Sequence, residues 1–462
     1  MFSSDIYVQR RAALAARLEG GLVVLQGNGL VGMNYRHNHY GFRQDGSFRY
    51  FCGIDRPDLT LILDLDVGKA LIVGDDPGLD SVVWTGPREA LADQAARAGI
   101  DTVLPRAELP SLLRQARDRG RRLHLLPPYR GDHEIQRMQW LDLGLDRLGE
   151  LVSEPLIRAV AELRLIKGPE EIAELEQALA LAAEMHHVAM ARTRPGVRES
   201  AVVGAIMEVV ARHQSQLSYP VIFSRRGEIL HNERHDQILE RGDWVVNDCG
   251  ANSPLGYASD ITRTIPVGGS FEGIKADLYA MVARAQQDAI ELMAPGVPFR
   301  AVHDRACQSL VAGLTELGLF KGSPAELVAR GAHALVFQCG TGHPIGLDVH
   351  DMEGLGEQLV GYGEGLERSP LFGHKSLRFA RPLKASMVMT VEPGIYFNET
   401  LIRTWAAEGR FKDCIDYGVA ERLLGLGGVR LEDEVLVTDD GHRLLGPTIA
   451  KAPEDIAAIM NG

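Results

Sequence analysis

The chain has 462 residues, 45% of them hydrophobic and 24% charged, and 62 acidic residues against 49 basic ones give a formal net charge of -13. This composition excludes disorder as the main state and allows two to four domains at about 100–200 residues each. The acidic excess makes nucleic acid a poor partner, because phosphate binding needs a basic surface, and no run of about 18 apolar residues is present to cross a membrane.

Met1 to Arg11 has no apolar signal core ahead of the first arginines, so no secretory signal is expected. Fifty glycines point to many tight turns. The five cysteines, Cys52, Cys249, Cys307, Cys339 and Cys414, are scattered and odd in number. That argues against a disulfide framework and for a reducing, cytoplasmic setting.

Helical periodicity opens the chain over Val8–Leu18. The run Gly21–Leu25, closed by Gly27, reads as a buried strand. Leu59–Leu65 and Ala70–Val73 read as a hairpin turned at Val67-Gly68-Lys69. A second helical pattern covers Leu109–Arg117, so the first 160 residues or so read as an α/β unit. A boundary is expected near Glu154–Lys167. Gly168-Pro169-Glu170-Glu171 then opens a strong helix, because Pro suits the first helical turn and Glu suits the positive helix end. Ile172, Leu175 and Leu179 give it a core-facing stripe.

The segment after residue 168 is internally duplicated. Pro195-Gly196-Val197 returns as Pro295-Gly296-Val297, 100 residues later. Leu239 to Asp248-Cys-Gly250 parallels Leu383 to Glu392-Pro-Gly394: a Leu, a turn, an apolar strand, then an acid, one residue and Gly. Gly256-x-x-x-Asp260 parallels Gly428-x-x-x-Glu432, each leading into a β-rich run. The period is far longer than that of solenoid repeats, so the halves are expected to form one pseudo-symmetric domain.

That symmetry gives the acids a chemical meaning. A two-fold relation would bring Asp248, Asp260, Glu392 and Glu432 to one centre, where four buried carboxylates repel one another and need a cation. His343, in the Gly-rich stretch Gly340–Gly346, supplies an imidazole, and His350 follows seven residues later. Four carboxylates and an imidazole suit Mn²⁺ or a borderline ion such as Co²⁺, Fe²⁺ or Zn²⁺. Two such ions about 3.5–4 Å apart would activate water and polarise a carbonyl. His231-Asn-Glu233-Arg-His235 lacks the His-Glu adjacency of a zincin helix and is discounted as a zinc site.

Four ordered motifs carry a resemblance to a known family: Asp260-Ile-Thr-Arg-Thr, Gly342-His343 through His350-Asp351, Val391-Glu392-Pro-Gly-Ile-Tyr396, and Gly428-Val-Arg-Leu-Glu432-Asp433. With Phe42-Arg-Gln-Asp45 and Phe48-Arg-Tyr-Phe51 near the N-terminus, the chain resembles the pita-bread metallopeptidases. Within them it resembles the Xaa-Pro dipeptidases (prolidases) and Xaa-Pro aminopeptidases. The resemblance implies an α+β fold, with a pita-bread catalytic domain over 161–462 preceded by an α/β domain over 1–160. It implies hydrolysis of short peptides after an N-terminal residue that precedes proline. It also implies two divalent metal ions, Mn²⁺ foremost, and assembly as a homodimer or homotetramer.

By motif position, the resemblance makes Asp248, Asp260, His343, Glu392 and Glu432 metal ligands, with Asp260 and Glu432 bridging. Glu392 becomes the general acid/base. His231 and His350 become substrate histidines, His350 at the scissile carbonyl. Arg378 and Arg430 fall near the substrate's far end, and Tyr219 near the metals. Two departures stand out. Cys339 occupies a position that is usually histidine, which implies a weakened enzyme or a binding protein as the alternative. Asp248 and Asp260 are 12 residues apart, one more than usual, with the extra residue expected in Asn252–Gly256.

Overall fold

The computed structural model describes residues 1–462. The chain divides into two compact units. One comprises Met1–Arg164 with Met352–Val360; the other comprises Leu165–Asp351 with Gly361–Gly462.

The first unit is built on a five-stranded sheet in the order Thr102–Leu104, Lys69–Val73, Thr60–Asp64, Leu22–Gln26, Leu123–Leu125. The three central strands pair antiparallel, and each edge strand pairs parallel with its neighbour. Apolar runs form the centre because both sheet faces are covered: all five residues of Leu22–Gln26 are buried. On one of those faces Val24, Ile62, Val73, Leu113 and Trp140 share one core. Gly68 turns the expected hairpin at φ +67°. The opening helix spans Ser4–Ala15, ending earlier than its periodicity suggests, and Gly20 and Gly21 at positive φ then turn the chain into the first strand. The helix Leu109–Asp118 matches its sequence pattern. The expected boundary region is itself a helix, Glu154–Leu165, and the division falls near its end.

The second unit opens with the helix Pro169–Arg192, and Glu171 Oε2 accepts the Gly168 N–H at 3.0 Å. Its buried face holds Leu175, Ala178 and Leu179, but also Glu171 and Glu174. These acids do more than suit the helix end. Tyr257 donates to Glu171 Oε1 at 3.0 Å and Ser253 to Glu174 Oε2 at 2.5 Å, so they anchor the loop that leads to Asp260. That loop turns through Gly256 at φ +80°.

The duplication is a structural repeat. Helices Pro169–Arg192 and Glu199–Arg212 precede a sheet ordered Thr262–Pro266, Trp244–Asp248, Ile222–Ser224. Helices Ile274–Glu291 and Phe299–Glu316 precede a sheet ordered Val388–Val391, Asp433–Val437, His442–Leu444. The two Pro-Gly-Val turns dock alike. Gly196 N–H donates to Leu239 O at 2.7 Å and Leu239 N–H to Val197 O at 2.8 Å; Gly296 N–H donates to Leu383 O at 2.8 Å and Leu383 N–H to Val297 O at 2.8 Å. Both glycines sit at φ +86°, a conformation that an added Cβ disfavours.

The halves join along a polar seam. Thr264 Oγ1 donates to Arg430 O at 2.9 Å, Glu432 N–H to Thr262 O at 3.1 Å, and Arg263 Nη1 to Glu432 O at 2.6 Å. Arg263, 1% exposed, also pairs with Asp433 at 2.6 Å. All five cysteines are free, as the scattered spacing predicts. No helix is long and apolar enough to cross a membrane.

Candidate metal centre

Asp248 ends the strand Trp244–Asp248, where it lies opposite both Thr262 and Ile222. Asp260 precedes Thr262 by two residues, and its N–H donates to Glu434 Oε1 at 2.9 Å. In the second half Glu392 follows Val391, which pairs with Asp433, so Glu392 and Glu432 extend facing strands. The Glu392 N–H donates to Thr341 O at 2.7 Å. His343 is laid against the same strand: its N–H donates to Thr390 Oγ1 at 3.0 Å, and Thr390 N–H returns to His343 O at 2.9 Å. Gly342 permits that approach, since a Cβ there would lie 1.9 Å from Thr390 O.

These arrangements converge. His343 Nδ1 lies 3.0 Å from Pro344 O, which can only accept, so Nδ1 carries the proton. Nε2 faces Asp260 Oδ2 at 3.4 Å and Glu392 Oε1 at 3.5 Å, and although burial works to lower the imidazole, Asp260 and Glu392 raise it above its ordinary value. Donor atoms of Asp260, His343 and Glu432 all lie within 4.8 Å of one another. Glu432 Oε2 accepts from Thr262 Oγ1 at 2.8 Å, but Oε1 is buried without a partner. The Tyr219 hydroxyl lies 2.6 Å from Asp248 Oδ1 and 2.5 Å from Asp260 Oδ1, and its one proton cannot serve both fully. Carboxylate oxygens that converge on one imidazole in a buried gap call for positive charge between them, so this donor set fits divalent metal.

The electrostatics agree. Burial, reinforced by Asp260, Glu392 and Asp248, holds Glu432 well above the usual carboxylate range. Burial also raises Asp248, against the pull of Arg430. Glu392 is pushed up to about 7 by burial, with His343 opposing and Asp260 adding to the rise. Asp260 is lowered despite burial, because His343 and Tyr219 bond it. Carboxylates this crowded hold protons unless a metal displaces them.

All ten residues singled out from the sequence line one cavity of about 600 Å³: Tyr219, His231, Asp248, Asp260, His343, His350, Arg378, Glu392, Arg430 and Glu432. The His350 ring lies 4.3 Å from that of His343, centroid to centroid. His231 is exposed at the cavity wall, and Arg378 is half-buried. Arg430 is buried and bonded to protein: Nη2 to Asp248 Oδ2 at 2.5 Å, Nη1 to the Tyr396 hydroxyl at 3.0 Å, Nε to Thr262 Oγ1 at 3.1 Å. Cys339 lines the same cavity, and burial together with Glu392 pushes its thiol up to about 12, so it is neutral there. The weakened or inactive alternative drawn from Cys339 finds no support, since the cavity keeps the complete donor set.

Sequence reasoning missed the supports of the cluster. Thr262 and Tyr396 lie inside quoted motifs, yet only three-dimensional placement shows them bonding Glu432 and Arg430. Glu434, 1% exposed, backs Asp260. It left no signal, because an acid in a strand usually faces water.

The family comparisons concur with this geometry. The family model described as metallopeptidase family M24 matches residues 173–439, and that of the aminopeptidase P N-terminal domain matches residues 7–124. The chain is 30% identical to the Xaa-Pro aminopeptidase of Escherichia coli, over 99% of this chain and 98% of that protein. It is 30% identical to that of Haemophilus influenzae, over 98% and 97%. A Glu-to-Ala variant of E. coli aminopeptidase P in complex with substrate superposes with a TM-score of 0.80 at 28% identity, covering 100% of this chain and 98% of that one. The pita-bread architecture, its preceding N-terminal domain and the convergent carboxylates therefore have one explanation: the chain is an enzyme of metallopeptidase family M24.

Proposed function

We propose that this enzyme is an Xaa-Pro aminopeptidase, releasing the N-terminal residue of short peptides whose second residue is proline. The observation that carries the reading is the single cavity in which Asp248, Asp260, His343, Glu392 and Glu432 meet, with Glu432 Oε1 buried and unpartnered. In this reading those five residues would hold two divalent ions, Mn²⁺ foremost with Co²⁺ or Zn²⁺ as substitutes. Such a pair supplies Lewis acidity and a water of lowered pKa.

The chain's own groups do the rest. Glu392 takes a proton from the attacking water and returns it to the proline nitrogen as the C–N bond breaks. His350 donates to the carbonyl oxygen as negative charge develops there. His231 contacts the substrate from the cavity wall, and Arg378 meets its far end. Tyr219 orients Asp248 and Asp260, and Arg430 positions Asp248 as well as lining the cavity. A bond to proline has no N–H, so a site that works through the carbonyl and the nitrogen lone pair loses nothing by its absence. Full-length relatives named as Xaa-Pro aminopeptidases favour longer peptides over dipeptides as the reading for this chain. The domain limits 1–160 and 161–462, a homodimeric or homotetrameric assembly and a cytoplasmic location belong to the same reading.

The test is direct. Metal is stripped with chelator and Mn²⁺ restored, and release of the first residue is followed from Xaa-Pro-Xaa tripeptides and Xaa-Pro dipeptides. Metal-dependent cleavage is expected, faster on the tripeptide. Absence of metal-dependent cleavage of either would sink the reading, and faster dipeptide cleavage would reassign it to a dipeptidase. Asp260→Asn is expected to abolish Mn²⁺ loading along with turnover.

A further inference from the structure

A second cluster of metal-ligating side chains lies outside the cavity. His303 and Cys307 stand one turn apart on the helix Phe299–Glu316, His333 comes from the short turn Ala332–Leu335, and His374 from the turn His374–Ser376. His303 and Cys307 are 0% exposed, His333 1% and His374 4%. Donor atoms of His303, Cys307 and His333 all lie within 4.8 Å of one another, as do those of His303, Asp304 and His374.

The hydrogen bonds fix where the lone pairs point. His374 Nε2 lies 2.8 Å from Val328 O, which can only accept, so Nε2 holds the proton and Nδ1 is bare. That bare Nδ1 is buried without a hydrogen-bond partner and faces Asp304 Oδ1, itself unpartnered, across 3.9 Å. The separation is too long for a shared proton. His303 Nδ1 lies 2.9 Å from Thr341 Oγ1, and with its proton donated there Nε2 faces Cys307 Sγ at 3.6 Å. Both ring nitrogens of His333 are buried without a partner. His343 shows the same pattern in the carboxylate cavity: one nitrogen tied to a carbonyl, the other aimed at negative oxygens.

The orphaned nitrogens of His333, buried beside the Cys307 thiol and the His303 ring, call for a partner. We propose that His303, Cys307 and His333 bind a thiophilic divalent cation, Zn²⁺ foremost. A nitrogen-rich set with one sulfur suits zinc, whereas the carboxylate-rich cavity suits harder ions. None of the three lines the carboxylate cavity, so the ion clamps the helix Phe299–Glu316 to the turn Ala332–Leu335 instead of doing chemistry. Asp304, half-exposed beside His374, marks the side open to solvent.

The experiment separates this site from the carboxylate centre. Zinc is counted in purified wild type, in the double variant Asp260→Asn with Glu432→Gln, and in Cys307→Ser and His333→Ala. One zinc equivalent per chain is expected to survive the double substitution and to be lost from each of the other two. X-ray absorption at the zinc edge, with Mn²⁺ filling the carboxylate centre, then reads the ligands. A sulfur neighbour at about 2.3 Å is expected in wild type and in Cys339→Ser, and absent from Cys307→Ser. If the Cys307 and His333 variants fail to fold, the spectra of wild type and Cys339→Ser decide alone. No zinc beyond the carboxylate centre, a shell of nitrogen and oxygen only, or full retention in Cys307→Ser would each overturn the proposal.

Discussion

Arg430 makes three bonds from one planar guanidinium, to Asp248, Tyr396 and Thr262, and Thr262 in turn bonds Glu432. A single cation thus restrains acids from both halves of the repeat. Removing one partner of a buried pair costs about 3–5 kcal/mol, because the other charge stays buried. Arg430→Met is therefore expected to lower the stability of the metal-free protein by about that amount in urea unfolding. The loss should shrink once Mn²⁺ is bound and takes over the counter-charge. Arg430→Lys should recover little, since a point charge cannot span three divergent acceptors. A loss below about 1 kcal/mol, equal with and without metal, would mean that Asp248 does not depend on Arg430.

Elements of secondary structure divide into those the sequence discloses and those it hides. The carboxylate-bearing strands were legible because duplication repeats them with an acid at the same place, and repetition is readable without any three-dimensional knowledge. The burial of Glu171 and Glu174 was not. A helix-opening acid looks the same in sequence whether it faces water or anchors a loop, and only the partners Tyr257 and Ser253, more than 70 residues away, decide it. The His303–Cys307 pair was hidden likewise: an i, i+4 pair on an apolar helix face looks like ordinary core until His333 and His374 arrive from elsewhere. The repeat also makes a quantitative prediction. Gly196 and Gly296 share φ +86°, and a Cβ added at either meets nothing within 4 Å. Alanine there costs backbone conformation alone, about 1–2 kcal/mol in the left-handed region. Gly196→Ala and Gly296→Ala should therefore destabilise equally, and the double variant should lose the sum to within about 0.5 kcal/mol. Thermal or urea unfolding checks this; a strong inequality would mean that the turns are not equivalent despite their matched hydrogen bonds.

For the molecule as a whole, the net charge of -13 conceals a set of buried or half-buried acids, among them the four that meet in the cavity. Those four link stability, metal and pH. In the metal-free protein Glu392 is raised to about 7, above its ordinary 4.5. The folded state then binds more protons than the unfolded one between those values. The stability contributed by Glu392 is fully present below about 4.5 and is lost as pH rises through about 7. Glu432, raised by the same burial, acts in the same direction. Bound metal reverses the dependence, because it needs these carboxylates ionised and competes with their protons. Each displaced proton weakens apparent metal affinity about tenfold per pH unit below the titration, or about 1.4 kcal/mol. The melting temperature with Mn²⁺ should therefore exceed that with chelator by a margin that widens from pH 5 to pH 7.5. Calorimetry in buffers of different ionisation heat should record proton release on Mn²⁺ binding near pH 6, falling off toward pH 8 as Glu392 arrives already ionised. A margin independent of pH, with no protons released, would mean that the carboxylates are not the groups that hold the metal. If the margin behaves as expected, the same ions that would activate water also tie the two halves of the repeat together.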